Sequence, residues 1–369
     1  MRILTLHAPV FADAWRDSHD VITWGVDPTC DLHPADVVMT LETVLASLPA
    51  GWTPDRIVVG DDGRLPRVLG LERGPCPTAL VSRDPRAVPW HAPLAAAVDV
   101  AFAAQRSALG SFAEAGAAAR WLPPWAPDGV PAPVAQKEHA IAFVGTLDAR
   151  AKPRRAAFFA ALRDRGLMLH AVEGRFDDVY SRSTLVIDHA EHGELNARIF
   201  EAMACGALVL APRADNGLLD LFRDGEDLIT YPAEDVDGIL AALARHAAHP
   251  GALPEIVARG RETVRAGHLA CHRAAAVLEA LGEIDPAGRR SRTTAGAYRV
   301  LAAQAERLMG RYPASSLYRR LRAAYLDAAA TAPDDGRDAG GAADADAPRA
   351  GAERATAGRD RLADGVMAP

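Results

Sequence analysis

The sequence predicts an α/β fold made of two Rossmann-like domains, followed by a helical hairpin and a disordered tail. Three observations support this prediction. The chain has 369 residues, which exceeds the usual size of a single domain. Short apolar runs alternate with longer helical segments up to about residue 282, a pattern typical of parallel sheets. A stretch with five prolines at 123–136 interrupts the alternation and is predicted to be the linker.

The overall composition favours an ordinary globular protein. Apolar residues make up 49% of the chain and charged residues 24%. The net charge of −7 argues against a nucleic-acid partner, which requires a basic face. No segment reaches the roughly 18 apolar residues of a transmembrane helix. The four cysteines have neither metal-ligand nor disulfide spacing, so we expect reduced thiols in a cytoplasmic protein.

The first domain is predicted at residues 1–122 and the second at residues 137–282. The first domain has strand candidates at 2–6, 37–41, 56–59, 78–82, 98–103 and 119–122. In the second domain, a buried strand at 140–146 precedes a helix near 154–165, and further strands are predicted at 167–172, 184–190 and 207–212. Helical segments follow to residue 282.

The C-terminal region has a different pattern. Residues 293–330 show helical periodicity with a break at Pro313, which predicts a hairpin that either packs on the domains or docks a partner protein. Residues 331–369 contain few large apolar side chains, so this tail is predicted to be disordered. Asp344–Ala345–Asp346 mimics a metal-binding DxD motif, but its position in the tail argues against a metal site.

The residues that follow the strand at 184–190 predict a nucleotide site. A turn leads into the helical sequence ARIFEAMAC, which ends at Gly206, a residue type suited to a helix C-cap. Ligands of open α/β sheets bind beyond the carboxyl ends of the strands, where helix N-termini attract phosphate. Arg198 and Glu201 share one helix face and suit the diphosphate and the ribose hydroxyls of a nucleotide.

This segment carries a family resemblance. The runs RIFEAMACGALVL (198–210), NGLLDLF (216–222) and DGEDLITY (224–231), with FVGT (143–146) upstream, resemble the CgeB-like (spore-maturation-protein-like) glycosyltransferases. The resemblance extends over roughly residues 75–282 and implies the GT-B fold, in which the two Rossmann-like domains face a cleft. It also implies a hexosyltransferase that uses a nucleotide diphosphate-sugar as co-substrate, with no further cofactor. We expect catalysis without a metal.

The resemblance also implies site residues. Glu201 matches the glutamate that holds the nucleotide ribose, and Arg198 matches the arginine three positions before it. The loop against the donor phosphate or sugar is matched by Asn216, Gly217 and Leu218. After Gly145, the basic residues Arg150, Lys152, Arg154 and Arg155 either bind the diphosphate or form a solvated helix start.

Two positions depart from the family pattern. Gly193 stands where many retaining relatives have a second glutamate, eight residues before Glu201, and its neighbours include Glu191 and Glu194. The sequence therefore assigns no carboxylate to the donor sugar and does not predict retention or inversion. Thr146 directly follows Gly145, where those relatives often have an arginine.

The acceptor is expected on the first domain, and it is a glycan, a protein or a small molecule. His91 is a candidate base for an acceptor hydroxyl, or else a structural histidine. Asp61 and Asp62 lie in a DDG sequence that we interpret as a turn. Two rival functions stay open, namely a nucleotide-sugar epimerase on the same fold and a non-catalytic GT-B-fold binding protein. Dehydrogenase, NTPase, zinc-peptidase and α/β-hydrolase motifs are absent.

Overall fold

The computed structural model describes residues 1–213, 215–248, 251–285 and 294–332. These residues form two compact units, one made of residues 1–122 and 274–332 and the other of residues 123–273. Beyond Ala332 the predicted tail, including the Asp344–Asp346 motif, lies outside the described residues.

Thirteen strands are found within the described part of the chain. In chain order they are β1 (Arg2–Leu6), β2 (Asp20–Trp24), β3 (Met39–Thr40), β4 (Arg56–Val59), β5 (Val68–Leu69), β6 (Thr78–Ser82), β7 (Val100–Ala103), β8 (Ala118–Trp121), β9 (His139–Val144), β10 (His170–Val172), β11 (Ser183–Ile187), β12 (Leu208–Pro212) and β13 (Ile229–Tyr231).

The α-helices of the described residues also number thirteen. They are α1 (Ala12–Arg16), α2 (Leu41–Ala46), α3 (His91–Ala95), α4 (Leu109–Glu114), α5 (Pro153–Asp164), α6 (Phe176–Tyr180), α7 (Ala197–Ala204), α8 (Leu218–Leu221), α9 (Val236–Ala247), α10 (Leu253–Gly267), α11 (Ala270–Gly282), α12 (Ala295–Arg311) and α13 (Ser316–Thr331).

Each unit contains a wholly parallel sheet, so the α/β prediction is confirmed. The sheet of the first unit has the order β2-β1-β4-β6-β7-β8, and that of the second has the order β10-β9-β11-β12-β13. In the first sheet, β2 pairs with one side of β1, and β4 pairs with the other side. The second sheet repeats this switch at β9, between β10 and β11. Such switch points are where open α/β sheets bind ligands.

The strand predicted at 37–41 is much shorter in the structure. Only Met39 and Thr40 pair, with β5, because the chain turns directly into α2. The Thr40 hydroxyl accepts a hydrogen bond from the Thr43 backbone at 3.2 Å and caps that helix. The turn into α2 therefore ends the strand.

The core of the second unit forms between its sheet and the flanking helices. Buried Phe158, Phe159 and Leu162 of α5 pack in a cluster that also contains Phe143 and Leu210 from the sheet. On the other side, α10 approaches the chain so closely that a Cβ at Gly260 would lie 2.2 Å from the Asp227 carbonyl oxygen. Glycine is therefore required at that crossing.

The proline-rich stretch predicted as a linker packs on the second unit. Its carbonyl groups at Pro123 and Pro124 accept hydrogen bonds from the Arg273 guanidinium at 2.8 and 3.2 Å. Pro133 lies so close to Gly206 that a Cβ there would come within 2.9 Å of it. Although prolines remove backbone donors, their carbonyl acceptors remain and are satisfied here.

The boundary between the units differs from the predicted limit at residue 282, because it falls within α11. At the start of this helix, the Cys271 N–H donates to the Asp128 carboxylate in the second unit at 3.1 Å. From Ala274 onward the helix belongs to the first unit, where the Trp15 indole donates to the Ala274 carbonyl at 3.3 Å. Residues 270–273 of α11 therefore belong to the second unit, and the rest of the helix belongs to the first.

The predicted C-terminal hairpin is present as α12 and α13, and it packs on the first unit. Its buried side chains form a cluster with two residues of the segment before α3. The members are Leu65, Leu69, Tyr298, Leu301, Ala302, Ala305, Leu321, Tyr325 and Ala329. The Tyr325 hydroxyl donates to the Pro66 carbonyl at 2.5 Å, and the Tyr298 hydroxyl accepts from the Gly70 N–H at 2.9 Å. Within the described part of the chain, no helix has the length and apolarity needed to cross a membrane.

Candidate functional site

The candidate site lies at the carboxyl edge of the second sheet. Loops leave this edge after β9 at Gly145, after β11 at Asp188, after β12 near Asn216 and after β13 near Glu234. Because the strands are parallel, all four loops emerge on the same side. The switch point between β9 and β11 places the Gly145 loop next to the Asp188 loop.

Arg198 is fixed inside this edge. Its guanidinium forms an ion pair with Asp188, whose side chain is fully buried. The Nε–H of Arg198 donates to the Val144 carbonyl at 3.1 Å, and the Asn196 amide donates to both Asp188 oxygens at 3.1 Å. Burial is the largest influence on the pKa of Arg198 and lowers it, but the charges of Asp188, Tyr180 and Glu201 and the Asp188 hydrogen bond together raise this pKa. The pair therefore joins β9, β11 and α7 and keeps Arg198 charged.

Gly145 gives the Arg198 guanidinium its space. The φ angle of Gly145 is +150°, a backbone conformation that favours glycine. A Cβ at this position would lie 3.1 Å from Arg198 Nη2 and 3.1 Å from the Phe143 ring. The guanidinium carbon of Arg198 stands 4.4 Å from the centroid of that same ring. Phe143, Gly145 and Arg198 are therefore packed against one another.

Arg155 is a second buried cation beside Arg198. Arg155 as a whole is 7% exposed, and its guanidinium carbon lies 5.5 Å from the centroid of the Phe143 ring. Its side-chain hydrogen bonds are long, at 3.5 Å to the Thr146 carbonyl and 3.4 Å to the His189 carbonyl. Among the described residues its buried Nε has no hydrogen-bond partner. Burial and the nearby Arg198 charge lower the pKa of Arg155, and the charges of Asp188, Glu191 and Glu194 offset this only in part.

The sequence after Gly145 identifies Arg155 only as one member of a basic cluster. The helical periodicity of α5 contains the missing signal, because Arg155 falls on the same face as Phe158, Phe159 and Leu162. An arginine on the buried face of a helix requires a partner, whereas one on the exposed face does not. The spacing therefore distinguishes Arg155 from its basic neighbours.

The other basic residues after Gly145 have different environments. Arg154 donates to the Glu191 carbonyl at 3.0 Å and pairs with Glu234 at 3.2 Å. Arg150 is exposed, and Lys152 is half-buried at the N-cap of α5. The four members therefore do not form one cluster, and Arg155 is the member that lies beside Arg198.

Glu191 caps the start of α5. Its two carboxylate oxygens each accept a hydrogen bond at 3.1 Å, one from the Arg154 N–H and the other from the Arg155 N–H. Glu191 is itself buried. An anion thus already stabilises this helix N-terminus, so those two N–H groups are not available to a phosphate. α7 differs, because the side chain of its N-cap residue, Asn196, does not cap it.

The NGL loop packs against the loop that contains Gly193. The Asn216 amide donates to the Gly193 carbonyl at 2.7 Å, and Gly217 has a φ angle of +92°. Leu218 is fully buried, so the loop presents its backbone rather than that side chain. Half-buried Glu201 lies one helical turn beyond Arg198 on α7, close enough for its charge to raise the pKa of Arg198.

The first unit contains a polar group at the carboxyl edge of its own sheet. His91 is 2% exposed, and its Nδ1 lies 2.9 Å from the Ser82 hydroxyl and 3.9 Å from the Asp61 carboxylate. Burial lowers the pKa of His91. Asp61 accepts from the Gly63 N–H at 3.0 Å, which is the turn that the DDG sequence indicates. Within the described residues, no three His, Cys, Asp or Glu side chains are grouped to hold a metal ion.

Residues 154–279 match the family model described as Glycosyl transferase-like. No curated protein matches the chain. The solved structures with a similar fold include the three described next. Sucrose-phosphate synthase from Thermosynechococcus elongatus is 13% identical with a TM-score of 0.55, and the match covers 76% of this chain and 99% of that one. A glycosyltransferase from Rickettsia africae is 11% identical with a TM-score of 0.55, over 76% and 98% of the two chains.

The third structure is HepE from Anabaena in complex with UDP-glucose. It is 13% identical to this chain with a TM-score of 0.54, and the match covers 77% of this chain and all of that one. These proteins thus share the fold of this chain over most of its length. The chain therefore has the GT-B fold of glycosyltransferases, and its residues 154–279 match the Glycosyl transferase-like family.

Proposed function

We propose that this protein is a glycosyltransferase that moves a sugar from a nucleotide diphosphate-sugar to an acceptor. The family match over residues 154–279 and the shared fold support this reaction class. The runs RIFEAMACGALVL and NGLLDLF support the finer assignment to a CgeB-like hexosyltransferase. All four cysteines are free thiols, which supports a cytoplasmic location, where thiols stay reduced.

The observation that carries the proposal is that the Arg155 guanidinium is buried without an ion-pair partner in the described part of the chain. Two guanidinium groups lie over the Phe143 ring, and Asp188 pairs with Arg198 alone. No carboxylate of the described residues forms an ion pair with Arg155. A buried cation without such a partner is costly unless an anion binds beside it. The diphosphate of a nucleotide sugar supplies that anion, and arginine matches the geometry of phosphate oxygens.

The other donor contacts follow from the same edge of the sheet. Glu201 lies one helical turn from Arg198. In this proposal its carboxylate accepts hydrogen bonds from the ribose hydroxyls. The backbone of Asn216 and Gly217, together with the N-terminus of α7, faces the donor phosphate or sugar. Arg150 and Lys152 follow Gly145 and are further candidates for the diphosphate.

In this proposal, catalysis consists of holding both substrates and stabilising the departing diphosphate. Arg155 and Arg198 are fixed before the substrate arrives, so their charges need little reorganisation when the bond to the sugar breaks. We propose that the reaction requires no metal ion. Undiminished turnover after treatment with EDTA is the expected result, and a loss that Mg²⁺ or Mn²⁺ restores would contradict this part.

A thermal-shift screen of the full chain against UDP-, GDP- and TDP-sugars tests the function. UDP-glucose is the first candidate, because HepE binds it in its crystal structure. A donor at a hundred times its dissociation constant adds about 2.7 kcal/mol to the free energy of unfolding. If no nucleotide sugar raises the melting temperature, the proposal is wrong.

Product analysis separates the two rival functions from transfer. A transferase releases the nucleoside diphosphate together with a glycosylated acceptor or free sugar. An epimerase returns an isomeric nucleotide sugar without any acceptor, and a non-catalytic binding protein returns the donor unchanged. Either of the last two products, obtained with a donor that binds, would replace the transferase assignment.

A further inference from the structure

The first unit contains a second histidine beside His91 that no sequence motif singled out. His7 directly follows β1 and is 4% exposed. His91 begins α3, and its Nδ1 contacts Ser82 at the end of β6. Asp61 and Asp62 follow β4, which pairs with β1 on one side and β6 on the other. The two histidines therefore lie at the carboxyl edge of three adjacent strands, at the switch point of the first sheet.

The backbone at His7 is held in an unusual conformation. Its φ angle is +70°, a strained conformation that residues other than glycine adopt rarely. The His7 N–H donates to the Trp24 carbonyl at 2.9 Å. The His7 carbonyl lies so close to Gly25 that a Cβ at Gly25 would be only 2.4 Å from the His7 carbonyl oxygen. This strained residue carries an ionisable side chain at a sheet edge where ligands bind.

The hydrogen bonds assign a tautomer to His7. Its Nε2 accepts from the Arg67 backbone N–H at 3.4 Å, so that nitrogen carries a lone pair. Burial is the main cause that lowers the pKa of His7, and the ring is therefore neutral near pH 7. A neutral ring with a lone pair on Nε2 carries its proton on Nδ1. His7 thus presents one N–H donor, for which the described residues supply no acceptor.

His91 has the complementary free atom. The Asp61 carboxylate lies 3.9 Å from Nδ1, and the Ser82 hydroxyl lies 2.9 Å from the same nitrogen. The carboxylate favours the proton on Nδ1, which leaves a lone pair on Nε2. This ring is also neutral, since burial lowers its pKa. The His91 Nε2 has no hydrogen-bond donor among the described residues.

A hydroxyl group is the ligand that such a pair recognises, because it donates one hydrogen bond and accepts another. We propose that His7 and His91 together bind the reacting hydroxyl of the acceptor, with His91 as the base and His7 as the hydrogen-bond donor. This inference rests on the proposed glycosyltransferase function and makes the acceptor an alcohol.

The step conserves atoms and charge. The hydroxyl proton moves to His91 Nε2, and the hydroxyl oxygen forms a bond to the anomeric carbon of the donor sugar. The bond from that carbon to the diphosphate oxygen breaks, and its electron pair leaves with the diphosphate. His91 becomes an imidazolium, which the nearby Asp61 carboxylate stabilises.

Nuclear magnetic resonance of the full chain, labelled with ¹⁵N-histidine, tests the pair without a known acceptor. We expect both rings to be neutral at pH 7 with the proton on Nδ1, and we expect glycerol, used as the probe, to shift His7 Nδ1 and His91 Nε2. A proton on Nε2 of either ring, a charged ring, or no response to glycerol would each overturn the proposal.

Two substitutions at His7 sharpen the test. His7→Ala removes the donor and should abolish the glycerol response of His91. His7→Asn tolerates the positive φ angle and keeps an N–H near the Nδ1 position, so it should retain the response. Loss of the response in both variants, with the other histidine signals unchanged, would show that the donor is not the group that matters and would overturn the role of His7.

Turnover of UDP-glucose, followed by release of UDP, tests the base. His91→Gln keeps an acceptor oxygen but has no basic nitrogen, so kcat should fall roughly 100- to 10,000-fold while the KM for UDP-glucose changes little. Unchanged kcat would overturn the assignment. If UDP-glucose does not bind at all, the donor proposal fails instead, and the NMR result still decides the histidine pair.

Discussion

Arg155 and Arg198 place their guanidinium carbons 5.5 and 4.4 Å from the centroid of one phenylalanine ring, Phe143. The two cations come from the starts of different helices, α5 and α7, and meet at the switch point of the second sheet. Only Arg198 has a carboxylate partner, Asp188. One of the two arginines therefore belongs to a buried ion pair, and the other is a buried cation without an ion-pair partner among the residues that the structure describes.

The Arg198–Asp188 pair should dominate the stability of the second unit. Asp188→Asn leaves a buried guanidinium without its carboxylate, so we expect the free energy of unfolding to fall by about 3–5 kcal/mol. The double variant Asp188→Asn with Arg198→Met removes both charges and should recover part of the loss. Urea denaturation followed by circular dichroism measures both changes.

The matched control for this pair is Glu138→Gln. It breaks the exposed ion pair between Glu138 and Arg182, in which both side chains are about half exposed. Exposed pairs contribute roughly 0–1 kcal/mol, so the control should change little. A cost for Asp188→Asn no greater than that of Glu138→Gln would contradict the buried pair.

Gly145 and Gly174 allow the contact with Arg198 to be tested separately from backbone strain. Their φ angles are +150° and +144°, but a Cβ at Gly145 meets Arg198 and Phe143, whereas a Cβ at Gly174 meets nothing within 4 Å. Both Gly→Ala variants should lose stability, and Gly145→Ala should also weaken donor binding measured by calorimetry. Equal donor affinity in the two variants would exclude a role for the Gly145 contact.

The hairpin should be an integral part of the first unit. Tyr325→Phe leaves the Pro66 carbonyl without its donor in a buried cluster, so we expect a loss of about 1–3 kcal/mol in the free energy of unfolding. Tyr312→Phe is the control, because the Tyr312 hydroxyl bonds to none of the described residues. Equal unfolding midpoints in urea for the two variants would contradict this packing.

Stability should fall in acid partly because of His268. Burial, followed by the charge of Arg273, lowers the pKa of His268 to about 4 from its ordinary value of 6.5. In this pH range the His268 ring binds a proton in the unfolded chain but not in the folded chain. The free energy of unfolding therefore decreases as the pH falls from 6.5 toward 4.

The variant His268→Phe tests this dependence and keeps an aromatic ring beside Phe200 and Phe222. Urea unfolding at pH 7.5 and at pH 4.5 should show a smaller loss for the variant than for the wild type. Burial also lowers the pKa of other histidines, such as His7, His91 and His189. The contribution of His268 is therefore the difference in pH dependence between the wild type and the variant. Parallel pH dependences would show that this side chain does not contribute.

Much of the fold could be predicted because buried parallel strands read as apolar runs, as RILTL and TALVS do. The sequence does not predict β2, because Asp20 begins this strand and the polar sequence RDSH precedes it. β13 has only three residues, too few to show a period.

Parts of the site depend on three-dimensional relationships that spacing alone does not encode. The sequence predicts Asp188 at the end of a strand, but its pairing with Arg198 depends on the turn between β11 and α7. His7 reaches the edge of the first sheet because β1 pairs with β4. Arg155, by contrast, could have been singled out from its position on the apolar face of α5.

The most direct test of the central claim is calorimetric titration of UDP-glucose into the wild type and into Arg155→Met. Methionine fills the site without a charge, so the variant should fold at least as stably as the wild type and should bind the donor at least about tenfold more weakly, a difference of about 1.4 kcal/mol. Arg163→Gln, an exposed position on the same helix, carries the same change in net charge and should bind normally. Wild-type affinity in Arg155→Met would contradict the assignment of this arginine to the donor diphosphate.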